Sequence, residues 1–150
     1  MRLTTYTDFT LRTLIYLALH RDRLVTIQDI VELHGISKNH LTKVVHQLGL
    51  SGMVETVRGR NGGLRLAMEP EQINIGQVVR ASESDFYMAE CFDNTSNTCA
   101  YAMACQLKQV LDSATNAFLA VLDGVTLEDL IRQKSSERKI GFYPSRRPLR

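Results

Sequence analysis

The sequence has few cysteines and no long hydrophobic run, and both absences narrow the kinds of protein it can encode. Three cysteines in 150 residues are too few, and odd in number, for the disulfide framework of a small secreted protein. The longest apolar run near the N-terminus covers residues 14–19, whereas a secretory signal needs about 7–15 apolar residues and a membrane span about 18. We therefore expect a cytoplasmic protein that has no membrane partner.

Enzymatic motifs and repeats are also missing. The chain shows no internal repeat, no low-complexity run, no nucleophile–base pair and no nucleotide-binding loop, so we do not expect an enzyme. Its hydrophobic fraction of 44% and charged fraction of 23% are typical of a globular domain. A disordered or collagen-like chain is thereby excluded.

The net charge of +2 conceals opposite local charges. Residues 1–34 are neutral, while residues 35–68 carry five basic residues against one acidic residue, a net +4. Residues 69–133 carry three basic against ten acidic residues, a net −7, and residues 134–150 six basic against one acidic, a net +5. The chain thus joins a basic module to an acidic one.

Apolar spacing and capping residues predict three helices in the first third of the chain. A first helix is predicted over 8–20, with an inward face of Leu11, Leu14, Ile15, Ala18 and Leu19. Thr26 and Asp29 form a capping signature for a second helix over 27–34, which Gly35 can end. Ser37 caps a third helix whose inward residues are Leu41, Val44, Val45 and Leu48. The second and third helices match the helix-turn-helix pattern.

A change to alternating hydrophobicity after Gly52 predicts a β-hairpin. Residues 53–57 and 64–68 read as its strands, and the basic, glycine-rich residues 58–63 form its tip, where we expect glycines at positive φ. A helix-turn-helix followed by such a hairpin is a winged helix. The fold class is therefore mainly α with a small β-hairpin.

The remaining sequence predicts a short helix, a polar segment, a long helix and a last short helix. Asn74 with Gln77 caps the first of these, and Thr126 with Asp129 caps the last. The long helix is predicted over about 103–122, with apolar residues Leu107, Leu111, Ala114, Phe118 and Val121 widened by Val110, Ala117 and Leu122. This stripe suits either the protein's own core or a dimer interface.

The basic module has the chemistry of a DNA-binding surface. Its third helix presents Ser37, Lys38, Asn39, His40 and Lys43, where Asn can pair with adenine and Lys can contact guanine or phosphate. Arg58, Arg60 and Asn61 of the hairpin tip could lie along the DNA backbone or enter the minor groove. Single surface charges are usually only solvated, but their concentration here favours double-stranded DNA as a partner.

Three cysteines, Cys91, Cys99 and Cys105, lie together in a polar, acidic segment. In a reducing compartment, thiols in such surroundings favour metal binding or redox sensing. All four histidines lie outside this segment, so a fourth ligand would be a distant residue, a local carboxylate such as Asp93, or a small molecule. A zinc site, an iron–sulfur cluster and a Cys99–Cys105 thiol switch stay open at this point.

Several motifs together resemble the iron–sulfur winged-helix regulators related to IscR, and among them the nitric-oxide-sensing repressors. The resemblance rests on residues 1–9, the Lys38-Asn39-His40 helix start, hairpin residues 58–66, and three cysteines before a long helix. It implies a homodimer in which Cys91, Cys99 and Cys105 hold a [4Fe–4S] cluster, with Asp8 of the partner subunit as fourth ligand. Arg12 would pair with Asp8 or steady the cluster's charge.

The resemblance also implies a function and a domain organisation. The dimer would bind an inverted-repeat operator and repress genes until nitric oxide destroys the cluster, with a [2Fe–2S] cluster or zinc as alternative cofactors. We expect a DNA-binding region over 1–82, a cluster-binding loop over 83–105, a dimerisation helix with a short C-terminal helix over 103–133, and a basic, disordered tail over 134–150.

Overall fold

The computed structural model describes residues 2–101 and 105–132, which form six α-helices, two short 3-10 helices and one antiparallel hairpin. The predicted tail over 134–150 lies outside these residues. In chain order the elements are α1 (Thr5–Leu19), α2 (Ile27–His34), α3 (Lys38–Leu50), β1 (Val54–Val57), β2 (Gly63–Leu66), α4 (Ile75–Ser82), α5 (Gln106–Asp123) and α6 (Leu127–Ile131).

The helix-turn-helix forms as its capping residues predict. Asp29 N–H donates to Thr26 Oγ1 at 3.2 Å, and Thr26 N–H donates to the Asp29 carboxylate at 2.9 Å, which completes the capping box of α2. Gly35 ends α2 in the left-handed conformation at φ 63°. The predicted inward residues of α3 are all buried. Local hydrogen bonding therefore sets where α2 begins and ends, and burial of the apolar face orients α3.

Helix α1 starts three residues earlier than predicted, and its buried residues include Leu14 and Ala18 of the predicted face but not Leu19. The Thr4 hydroxyl accepts the Thr7 N–H at 3.2 Å and caps the helix. Leu19 of the predicted face is 48% exposed, whereas Thr7 and Thr13 are fully buried and Thr10 nearly so. Two of these threonines are tolerated inside because their hydroxyls donate to backbone carbonyls one turn back.

The hairpin forms a wing that is anchored to the helices. Val54 pairs with Leu66 and Val57 with Gly63 across the two strands. Val25, in the α1–α2 connection, also bonds the backbone of Leu64 in both directions, at 3.0 and 2.7 Å. The winged-helix prediction is confirmed, and this third backbone pairing ties β2 to the α1–α2 connection.

The glycines at the wing tip serve a different purpose from the predicted one. Of the three, only Gly59 has a positive φ, 119°. At Gly62 a β-carbon would overlap the Val57 carbonyl oxygen, and at Gly63 it would lie 2.8 Å from the Val25 carbonyl oxygen. Close backbone approach, rather than left-handed geometry, excludes a side chain at these two positions.

The C-terminal helices return to pack on the winged helix. Helix α1 contacts α3, α4 and α6, and α5 packs on α4. Leu127 of α6 is fully buried, and its N–H donates to the Ile73 carbonyl at 2.8 Å. Both predicted caps, at Asn74 and at Thr126, are present. The acidic half is therefore attached to α1, the helix that also carries Asp8.

Helix α4 approaches α5 closely at Gly76, which yields a stability prediction. A β-carbon there would lie 2.9 Å from the Asp123 backbone nitrogen and would overlap the carboxylate that pairs with Arg80. We expect Gly76→Ala to lower the free energy of unfolding by about 1–3 kcal/mol, as measured by chemical denaturation.

The matched control for this prediction is Gly49→Ala in α3. Its β-carbon would have no neighbour closer than 3.8 Å, so this variant should gain about 0.5–1 kcal/mol from helix propensity. Equal stability of the two variants would show that the α4–α5 contact is looser than the structure describes.

Candidate DNA-binding face and cysteine segment

Helix α3 separates an apolar inner face from a polar outer face. The Ser37 hydroxyl accepts the His40 N–H at 3.3 Å and caps the helix. All of the predicted contact residues on this helix are exposed, namely Ser37, Lys38, Asn39, His40 and Lys43. The first turn can therefore present side chains and free backbone N–H groups to a ligand outside the protein.

The wing extends the same basic surface. Arg58, Arg60 and Asn61 at its tip are all exposed, and β1 follows α3 directly, with Met53 N–H donating to the Leu48 carbonyl at 3.1 Å. Arg65 differs from the tip arginines because it forms an ion pair with Glu55 on the facing strand at 2.8 Å.

Ion pairing separates the cations of this face from most of the other described arginines. Five arginines form ion pairs within the protein: Arg12, Arg21, Arg23, Arg65 and Arg80. Among the described residues, Lys38, Lys43, Arg58 and Arg60 form none. Four cations of α3 and the wing tip thus have no carboxylate partner and can neutralise an external anion.

Asp8 lies in the first turn of α1, where it pairs with Arg12 in the same subunit. The Arg12 Nη2 atom is 2.9 Å from Asp8 Oδ2, and Nε donates to Oδ1 at 3.0 Å. Both side chains are nearly half exposed. The structure thus shows Arg12 paired with Asp8, which is one of the two roles predicted for Arg12.

The three cysteines lie in the cysteine segment, residues 83–105, and all are free thiols. Cys91 is buried in a short 3-10 turn, Cys99 is exposed, and Cys105 is half-buried just before α5. Within the described ranges, no three His, Cys, Asp or Glu side chains converge closely enough to hold one metal ion. The single-ion zinc site with Asp93 is therefore not assembled in this conformation.

The carboxylates of the cysteine segment are occupied by local hydrogen bonds. Asp93 accepts from the Thr95 hydroxyl at 2.6 Å, from the Thr95 N–H at 2.8 Å and from the Ser96 hydroxyl at 2.8 Å. Glu90 accepts from Thr98 in the same way. These donors, first the threonine hydroxyls, hold the pKa values of both carboxyls below their ordinary values. The acids shape the loop and are poorly placed to act as metal ligands.

A contact between the cysteine segment and α1 was not predicted from the sequence. Glu83, the first residue after α4, accepts from the Thr4 N–H at 2.7 Å and from the Thr4 hydroxyl at 3.1 Å. Its carboxylate therefore lies at the N-terminus of α1, where the helix dipole favours negative charge. The two residues are 79 positions apart, and no local sequence pattern reports such a pairing.

Helix α5 divides its apolar residues between two faces. Leu111, Phe118 and Leu122 turn partly toward the protein, and Leu119 is buried. Leu107 and Val110 are each 63% exposed and Val121 is 69% exposed. With the exposed Ala114 and Ala117, these residues form an outer stripe at alternating spacings of three and four. The predicted stripe is therefore divided: Leu111, Phe118 and Leu122 turn partly to the chain's own core, and the outer stripe does not.

None of the helices in the described part of the chain is long and apolar enough to cross a membrane.

Two curated proteins that are similar to this chain are named transcriptional regulators. The HTH-type transcriptional regulator NsrR of Bacillus subtilis (strain 168) is 53% identical over 141 residues, which cover 93% of this chain and 97% of that protein. The NsrR protein of Bacillus licheniformis is 51% identical over 141 residues, covering 93% and 99% of the two chains.

Solved structures show the same fold. A structure titled T. potens IscR matches with a TM-score of 0.71 at 24% identity, covering 95% of this chain and 97% of that one. The oxidized form of Staphylococcus aureus CymR matches with a TM-score of 0.70 at 26% identity, covering 91% and 100%. The model of the family described as "Rrf2: Iron-dependent Transcriptional regulator" matches residues 3–133. The chain therefore belongs to the Rrf2 family of transcriptional regulators.

Proposed function

We propose that the protein is a homodimeric repressor that binds an inverted-repeat operator and releases it when nitric oxide destroys a [4Fe–4S] cluster in the cysteine segment. Three free thiols lie in one segment, and hydrogen bonds from Thr4 to Glu83 tie that segment to the DNA-binding half. This observation is the main support for the proposal. The 45–53% identity to the NsrR relatives supports the same function.

The unpaired cations of α3 and the wing tip support DNA binding by residues 1–82. A major groove admits one helix, and the polar outer face of α3 carries Lys38, Asn39, His40 and Lys43 in the first two turns. Arg58 and Arg60 at the wing tip are free to meet phosphates. Binding to phosphates releases counterions, so the affinity should fall steeply as salt is added.

We expect the double variant Arg58→Ala/Arg60→Ala to weaken DNA binding and to flatten its salt dependence. If each arginine meets one phosphate, the slope of log affinity against log salt should fall in magnitude by about 2. Fluorescence anisotropy with a duplex that the protein itself selects from a random pool measures both quantities.

The control is Arg65→Ala, which removes a cation that Glu55 already neutralises on the neighbouring strand. It should change the slope much less than the double variant does. A double variant that behaves like Arg65→Ala would contradict the role of the wing tip.

The outer stripe of α5 supports a homodimer. Apolar residues at spacings of three and four form a narrow seam that suits a second helix packed lengthwise. A second copy of this chain presents the same seam, and a two-fold interface is the commonest arrangement of soluble oligomers. Two α3 helices related in this way would read two half-sites of an inverted repeat.

The donor set of the cysteine segment fits an iron–sulfur cluster. Cysteine thiolates are the usual ligands of such clusters, and Cys91, Cys99 and Cys105 would provide three. Thiolates also bind zinc, so the metal content of the purified protein decides between the two. When bound, the cluster would supply iron that reacts with nitric oxide.

Asp8 would link the two subunits if it served as the fourth ligand. To reach the cysteine segment of the partner subunit, Asp8 would first have to leave Arg12, with which it now pairs at 2.9 Å. Asp8 would return to Arg12 when the ligand position is lost. Because Asp8 lies on α1, which packs on α3, this exchange of partners would alter the spacing of the two recognition helices.

Purification without oxygen tests the cofactor. If the cluster is present, the protein should be brown with broad visible absorption, and it should contain about four iron and four sulfide ions per chain. A colourless protein that contains zinc, or no metal, would contradict it.

A further inference from the structure

The residues just before Cys91 and Cys99 are bonded to each other. Glu90 precedes the first cysteine and Thr98 precedes the second. One carboxylate oxygen of Glu90, Oε1, accepts both the Thr98 N–H and the Thr98 hydroxyl, the latter at 2.7 Å. We call this pair the clasp. It closes the stretch of chain that separates the first two cysteines.

The loop inside the clasp is organised by its own hydrogen bonds. Asp93 N–H donates to the Glu90 carbonyl at 3.0 Å, and the Asp93 carboxylate binds Thr95 and Ser96. Cys99 N–H donates to Asn97 Oδ1 at 3.0 Å. Protein groups thus bond the backbone on both sides of Cys91 and the backbone that leads into Cys99.

The clasp connects the residue before a buried cysteine to the residue before an exposed cysteine. Cys91 is 7% exposed and is held by the surrounding fold, whereas Cys99 lies on the surface. Without the clasp, the position of Cys99 would depend on a loop whose closure costs conformational entropy. Hydrogen bonds to a carboxylate are stronger than neutral ones.

We propose that Glu90 and Thr98 are positioning residues that hold Cys99 at a set separation from Cys91 in the cluster-free protein, so that both thiols are ready to receive a cluster. The inference rests on the proposed function for what the thiols bind. Neither residue touches the cluster in this account, since both act through the backbone next to a ligand.

Two measurements on the full chain test the clasp. Hydrogen exchange of the Thr98 amide in the metal-free protein reports whether the clasp is closed. The rate of cluster assembly from ferric iron, sulfide and a thiol reductant, which supplies two electrons per cluster, is followed by visible absorption and reports whether the thiols are ready. Glu90→Ala should expose the amide to exchange and slow assembly by about fivefold.

Conservative variants separate positioning from folding. Thr98→Ser keeps both donors and should behave like the native protein, whereas Thr98→Val keeps only the N–H and should fall between the native protein and Glu90→Ala. Asp85→Ala is the matched control, because Asp85 also accepts a backbone N–H in this segment, at 3.0 Å from Tyr87, but precedes no cysteine. It should leave both readouts unchanged.

The possible failures are distinguishable. Native-like exchange of the Thr98 amide in Glu90→Ala would overturn the clasp itself. Fast exchange combined with native-like assembly would overturn its positioning role. Failure of the native protein to acquire any cluster would overturn the proposed cofactor and this inference with it, whereas failure of the clasp alone leaves the native cluster intact.

Discussion

Replacing Val110 with glutamate should produce a folded monomer that binds its operator at least about a hundredfold more weakly than the native protein. Val110 lies in the outer stripe of α5 and is 63% exposed, so the charge costs the single subunit little. In a dimer the same carboxylate would be buried without a partner, which is strongly unfavourable. A monomer reads one half-site and loses most of the specific affinity.

Gln109→Glu provides the matched control, because it adds the same charge one residue away at an exposed position outside the stripe. This variant should remain a dimer and bind DNA normally. Sedimentation equilibrium and fluorescence anisotropy measure the two properties. If Val110→Glu stays dimeric, α5 is not the interface.

Replacing Cys99 with serine should abolish the visible absorption of protein purified without oxygen and lower operator affinity by more than about tenfold. A serine hydroxyl does not replace a thiolate as a ligand for a soft metal site. Because Cys99 is exposed, its replacement should hardly change the stability of the fold. Ser96→Ala, in the same loop, is the control and should retain its colour.

The same variant distinguishes the competing interpretations of the cysteines. A thiol switch between Cys99 and Cys105 predicts that the native protein is colourless and loses DNA binding upon oxidation, whereas Cys99→Ser does not respond. A zinc site predicts a colourless native protein that contains zinc. A cluster predicts a colour that disappears in Cys99→Ser.

Features that depend on neighbouring residues could be predicted from the sequence. The caps at Thr26, Ser37, Asn74 and Thr126 were all expected and all form. Each depends on a side chain and a backbone N–H within three residues, and both are visible in the sequence. The wing was predictable for the same reason, since its strands are adjacent in the chain.

Features that depend on packing could not be predicted. Thr7, Thr10 and Thr13 have polar side chains, yet they are buried because α1 lies at the centre of the fold. The division of α5 into an inner and an outer face depends on where α4 packs. The predicted stripe contains both Leu111, which turns partly inward, and Val121, which is exposed, so it crosses the boundary between these faces.

The contacts of the candidate site also required the structure. The Glu83–Thr4 bond joins distant parts of the chain, and the clasp depends on how the loop between Cys91 and Cys99 folds. Unpaired positive charge is confined to fewer residues of the basic module than the sequence suggested. Arg65 belongs to the basic module by position but is paired with Glu55, which leaves four unpaired cations on α3 and the wing tip.

Titration with nitric oxide is the sharpest test of whether the cluster controls DNA binding. Protein purified without oxygen is bound to its labelled operator duplex, and visible absorption and anisotropy are followed together as nitric oxide is added. The account predicts that the cluster absorption and the bound fraction fall in parallel, and that Cys99→Ser shows neither change. If the absorption disappears while the operator stays fully bound, the cluster does not control DNA binding and the account is wrong.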